Sequence, residues 1–187
     1  MVIMEKLILI LGSSILLFVS CCNKNSNSNA SQYNYMDYID SSINCFILRD
    51  TNCMKYIDIK ENNVIDDFNK GEGICLSNST NTEWLYLVKE NGGYKNQYNY
   101  YYLLDTIPNV HNRSIIRLSD SIFMTSRGIH IGSSIEDFKT KYKEIQFKVK
   151  HENEKICYSY YDTINQYSCI YIFKNGRLCR IEFGYVW

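Results

Sequence analysis

Cysteine and histidine are the residue types that could carry nucleophilic, redox or metal chemistry, and the chain holds eight of the first and three of the second. A catalytic thiol needs a base to hold it as thiolate, and a metal site needs several ligands at short, fixed spacings. Cys45, Cys53, Cys75, Cys157, Cys169 and Cys179 contain no C-x-x-C pair, and His111, His130 and His151 lie at no metal-binding distance along the chain from a second ligand. No G-x-S-x-G, H-E-x-x-H or P-loop pattern is present. Asp66-Asp67 reads as the exposed side of a short helix, since calcium needs oxygens at alternating positions. The expectation is no catalytic residue, no metal and no cofactor. A Cys–His pair assembled only in space, serving a cysteine-dependent hydrolase, is the weaker alternative.

A second kind of chemistry is recognition by aromatic rings. Tyr98, Tyr100 and Tyr102 alternate onto one face of an expected strand, and Trp84 with Tyr86 does the same on the strand before it. A flat aromatic row can stack on sugar rings or grip a partner protein, so these five residues form a candidate binding face. Lys plus Arg and Asp plus Glu number 20 each. That balance provides no net field to attract nucleic acid.

The N-terminus says where these groups are held. Lys6, the apolar run Leu7–Val19 and the small residue Ser20 make a secretory signal. Phe18-Val19-Ser20-Cys21 resembles the lipobox of bacterial lipoproteins, with Phe18 where leucine is usual. The resemblance implies cleavage after Ser20, a diacylglyceryl thioether on Cys21 and an acylated amino terminus; Cys22 is the alternative acceptor. Two or more acyl chains hold a protein stably to a bilayer. No aspartate follows Cys21, which by the same resemblance favours the outer membrane of the cell envelope, with either face open. Asn23–Gln32 has no apolar side chain larger than alanine, the composition of a flexible tether. The expected organisation is a signal peptide over 1–20, a lipidated cysteine and tether over 21–33, and a single domain over 34–187.

Hydrophobic residues at 45% suffice for a real core in that domain. Met36, Ile39, Ile43, Phe46 and Ile47 follow a helical period, which predicts a helix over Tyr35–Leu48. Asn63–Asn69 reads as a second short helix. Strands are expected over Glu83–Glu90, Tyr94–Leu104, Ile115–Leu118, Ile122–Thr125 and Gly128–Gly132. Ser133 and Glu136 form a capping box for a helix bearing Ile135, Phe138 and Tyr142. Three strands follow over 156–162, 167–174 and 177–185, the last two joined by Asn175-Gly176, a type I′ hairpin signal. That turn pairs Lys174 with Arg177. It sets Ile172 opposite Cys179 and Ile170 opposite Ile181, with Phe183 on the same apolar face. Cys157 can then lie across from Cys169, the best disulfide candidate. The fold class expected is α+β: an N-terminal helix, mostly antiparallel sheet, and a C-terminal helix-plus-three-strand module.

Two further resemblances bear on function. Gly128-Ile129-x-Ile131-Gly132-x-Ser134-x-Glu136-Asp137-Phe138-x-x-x-Tyr142, followed by Phe173-x-Asn175-Gly176-x-Leu178-x-x-Ile181, is similar to the small module of SmpA/BamE-type outer-membrane lipoproteins and β-lactamase-inhibitor-like domains. It covers 127–187 and implies noncatalytic work, scaffolding an envelope assembly or binding another protein. Asp105-Thr106-Ile107, Asp120-Ser121-Ile122 and Asp162-Thr163-Ile164 each resemble a short bacterial O-glycosylation acceptor, and also suit turns. The functional expectation is a noncatalytic envelope lipoprotein that binds another envelope protein. The alternative is capture of a glycan or peptide by the aromatic face.

Overall fold

In the computed structural model, which describes residues 39–68, 71–89, 94, 96–107 and 114–186, the longest strands form where aromatic and β-branched residues are densest. These are β9 (Lys155–Asp162), β10 (Tyr167–Lys174) and β11 (Arg177–Tyr185). Asn175 and Gly176 both adopt positive φ, 51° and 75°, as the Asn-Gly hairpin requires. Earlier in the chain lie β1 (Ser42–Ile43), β2 (Phe46–Ile47), β3 (Val64–Phe68), β4 (Gly71–Ser77), β5 (Trp84–Lys89), β6 (Tyr100–Leu104), β7 (Ile115–Arg117), α1 (Ile135–Lys141) and β8 (Lys148–Glu152).

Apart from the β1–β2 hairpin, the strands form one nine-stranded sheet in the order β3-β4-β5-β6-β11-β10-β9-β8. β7 runs parallel to the second half of β4, on the edge whose first half pairs with β3. Alternate residues turn Ile74, Leu76, Leu85, Leu87, Tyr101, Leu103, Ile181 and Phe183 onto one buried face. Residues of the β1–β2 hairpin, the turns around Phe123 and Ile129, and α1 close over the same core. Phe138 of α1 sits at its centre, its ring 4.7–5.3 Å from those of Tyr142, Phe147, Tyr158, Tyr171 and Phe173.

The fold class is therefore mostly β, which corrects the α+β expectation. Among the described residues α1 is the one α-helix, and from residue 39 on the expected N-terminal helix is the β1–β2 hairpin, its first residues, 35–38, lying outside the described ones. Ile47 is 45% exposed while Leu48 is 8% exposed, the reverse of what the helical period demanded. Asn44 decides the matter by taking a positive φ of 49° and bonding both backbone and side chain to Met124. The expected helix over Asn63–Asn69 is instead a 3-10 turn over Glu61–Asn63 followed by β3, because β3 can pair with β4. Gly128–Gly132 and Ile122–Thr125 contribute single bridges within turns rather than strands. β8, a charged edge strand, had no apolar period to reveal it. The C-terminal helix and strands also do not form a separate module, since β11 pairs with β6 and carries the sheet into its N-terminal half.

Two local expectations shift by one residue. The N-cap of α1 is Ser134, whose Oγ accepts the Asp137 N–H at 3.0 Å. Ser133 instead accepts the His130 N–H at 3.1 Å and closes the preceding turn. In the final hairpin Lys174 does pair with Arg177, but the register shifts after Phe173, so Ile172 faces Arg180 and Tyr171 faces Ile181. Cys179 is the extra residue of this β-bulge. Tyr171 and Phe173 consequently line the core in place of Ile170 and Ile172.

Candidate functional site

The described chain begins at a polar node that no sequence pattern announced. Asp40 is 1% exposed, and its carboxylate accepts hydrogen bonds from four groups. These are the phenols of Tyr142 and Tyr171 (the latter at 2.6 Å), the Ser126 hydroxyl at 3.1 Å and the Arg127 N–H at 3.2 Å. The Asp40 carbonyl accepts from the Tyr167 hydroxyl at 2.6 Å. A buried carboxylate is tolerated only when donors replace its water in this way. Burial, reinforced by the Asp40 charge, holds the Tyr142, Tyr167 and Tyr171 hydroxyls protonated well above the ordinary phenol range. The node joins Asp40 to the C-terminal end of α1 and to β10. Its partners lie 86 to 131 positions away, beyond any local signal.

The five aromatic residues expected to form one face are divided. Trp84 and Tyr86 pack with Cys75 as a second, smaller cluster on the side of the sheet opposite the main core, with Tyr102 and Leu104 partly covering them. Tyr100 also turns to that side, opposite Gly184, and is buried. Tyr98 precedes β6 and belongs to the main core. Mutual packing thus buries most of this aromatic area, and no flat exposed row is left. Burial pushes the Tyr98 and Tyr102 phenols up to about 12.

The cysteines are likewise not poised for chemistry. Cys157 stands opposite Ile172 and Cys169 opposite Tyr160, so their side chains leave opposite faces of the sheet. The disulfide expected between them is corrected: both are free thiols, as are Cys75 and Cys179. Burial raises the Cys75 thiol to about 12, raises Cys169 further, and raises Cys157 and Cys179 as well. Thiolate is therefore scarce at these four positions at neutral pH. His130 places Nδ1 2.7 Å from the Ile131 carbonyl, and His151 lies exposed on β8. His111, Cys21 and Cys22 lie outside the described residues. Among the described residues no three His, Cys, Asp or Glu side chains gather as a metal site would require.

What does remain open is a cavity of about 510 Å³ where the ends of β4 and β5 meet the segment 57–61. On its floor Glu72 and Lys89 face each other across the strands, with Nζ 2.7 Å from Oε2. Tyr98 lines the wall beside them, and the Glu72 charge adds to burial in raising its phenol. Ile57 and Ile59 add apolar surface, and Asp58 and Lys60 add further charge. The volume suits a small ligand. The ion pair places a hydrogen-bond acceptor and a donor side by side in the cavity. Of these residues sequence reasoning had singled out Tyr98 alone. The chain matches no known protein family, no curated protein and no solved structure.

Proposed function

We propose that this protein is a noncatalytic lipoprotein of the bacterial cell envelope, anchored through acylated Cys21, whose folded domain binds another envelope protein. The observation that carries the reading is the placement of Cys21 directly after Phe18-Val19-Ser20 at the end of a charged and then apolar N-terminus. The similarity of 127–187 to SmpA/BamE-type lipoproteins points the same way. So does the state of the thiols: a cysteine hydrolase needs a low-pKa cysteine, and Cys75, Cys157, Cys169 and Cys179 are shifted in the opposite direction. Chemical cross-linking in native envelopes tests the binding role. The same neighbouring protein should be recovered repeatedly, and recovery of no repeated neighbour refutes that role.

The second reading, capture of a glycan or peptide, is favoured by the cavity beside Tyr98 rather than by an aromatic row. It predicts that saturation-transfer NMR detects methyl glucoside or a glycyl-glutamate dipeptide on the intact protein. Lys89→Met should abolish the signal without loss of fold. An unchanged signal in that variant refutes this placement of the site.

A further inference from the structure

Outside the cavity and the buried networks, three surface turns share a chemical pattern. The chain contains five Asp-Ser/Thr dipeptides, and in three of them isoleucine follows: Asp105-Thr106-Ile107, Asp120-Ser121-Ile122 and Asp162-Thr163-Ile164. All three lie in turns, and Thr106, Ser121 and Thr163 are all exposed. None of the three hydroxyls has a hydrogen-bond partner among the described residues. Asp120 accepts from the Asn44 side-chain amide at 3.0 Å and Asp162 from that of Asn165 at 2.7 Å, much as Asp40 and Asp50 of the other two dipeptides are bonded. Two of the isoleucines are the odd feature, while Ile122 is half-buried. Ile164 is 90% exposed and Ile107 is 62% exposed, at turn positions where a polar residue would cost less. At the Thr163 turn, Asp162 Oδ1 accepts the N–H groups of Ile164 and Asn165 at 2.9 and 3.0 Å and holds the turn around the free hydroxyl.

We infer that Thr106, Ser121 and Thr163 are acceptors for O-linked sugar, with the preceding carboxylate and the following isoleucine read by the transferring enzyme. The inference rests on the envelope placement proposed above. In the transfer the hydroxyl oxygen attacks the anomeric carbon of a lipid-linked glycosyl diphosphate. The new O–C bond forms as the bond from that carbon to phosphate oxygen breaks; the electron pair leaves with the diphosphate, and the hydroxyl proton passes to a base of the transferase. Phosphorylation fits poorly, because nucleoside triphosphates are confined to the cytoplasm and a polyanionic donor would meet the aspartate.

Peptide mass spectrometry of the full protein, purified from the envelopes of the bacteria that make it, tests this. The peptides holding Thr106, Ser121 and Thr163 should each carry a mass increment equal to whole sugar residues. Thr163→Ala should lose the increment and Thr163→Ser should keep it. Asp105→Asn, which alters an exposed carboxylate, should strip most of the sugar from Thr106. Bare hydroxyls on all three peptides overturn the inference, as does a phosphate increment or full occupancy of Thr106 in Asp105→Asn. The N-terminal peptide of the same digest separates the two ideas. Acylated Cys21 with bare hydroxyls leaves the anchor standing and ends this proposal, whereas sugar on a chain without acyl groups does the reverse.

Discussion

Removing the Asp40 carboxylate tests how this segment is held against α1 and β10. In Asp40→Ala the buried phenols of Tyr142 and Tyr171 lose a charged acceptor, while Ser126, which is exposed, can turn to water. Hydrogen bonds to a charged group contribute about 1.5–3 kcal/mol each, so two of them place the loss at about 3–6 kcal/mol. What remains is a contact of 3.3 Å from Tyr171 to Tyr142, and the Thr125 hydroxyl beside Tyr142. Asp40→Asn keeps the volume and one acceptor, and should cost about half as much. Tyr171→Phe removes a single donor, for about 1–2 kcal/mol. Urea unfolding followed by tryptophan fluorescence measures all three, and a cycle combining Asp40→Asn with Tyr171→Phe should show coupling of about 1–2 kcal/mol. Two results refute the reasoning: strict additivity, or an Asp40→Asn protein more stable than the parent. The second would mean that stripping water from the carboxylate costs more than its four donors return.

Three further outcomes follow from the packing. Tyrosines ionise near 10 when unfolded, but Tyr98 is held to about 12 and Tyr142, Tyr167 and Tyr171 higher still, so the unfolded state loses protons first. This stability is complete below about pH 10 and falls above it by about 1.4 kcal/mol per pH unit for each such tyrosine; urea midpoints that stay level to about pH 12 would contradict it. Gly184 has φ of 152°, and an added Cβ would lie 2.2 Å from the Asn99 carbonyl oxygen and 2.6 Å from the Tyr100 Cα. Both are backbone atoms, so Gly184→Ala must part β6 from β11, at about 3 kcal/mol or roughly 6–12 °C in Tm; a calorimetric Tm within a degree or so of the parent is the contrary result. Native labelling with a maleimide should leave the fully buried Cys75 and Cys169 untouched until the protein is unfolded, and rapid modification of either would show an opening that the packing does not contain.

The parts of this fold that could be read in advance are those set by adjacent residues. The alternation in 155–185 and the Asn175-Gly176 turn gave β9, β10 and β11 nearly to the residue. What failed depends on partners remote in sequence. A single extra residue at Cys179 reversed which side of β10 enters the core, and nothing in the local pattern distinguishes a bulge from a regular hairpin. Ile39, Ile43 and Phe46 suit a helix face and a hairpin equally well, and Asn44 bonding to Met124 selects the hairpin. For the candidate site, Tyr98 was legible as an aromatic near a strand. The cavity, however, needs the segment 57–61 to be carried over Glu72 and Lys89, a tertiary event. Cys157 and Cys169 could be aligned on paper only because the pairing offset between β9 and β10 was unknown.

The central claim is the lipid on Cys21, and the mass of the mature N-terminal peptide tests it most directly. Material from native membranes should begin at this cysteine, or at its neighbour Cys22, and should carry a diacylglyceryl thioether with an acylated amino group. An N-terminal peptide that retains Met1–Ser20, or a mature cysteine without any acyl group on protein recovered from the soluble fraction, contradicts the account.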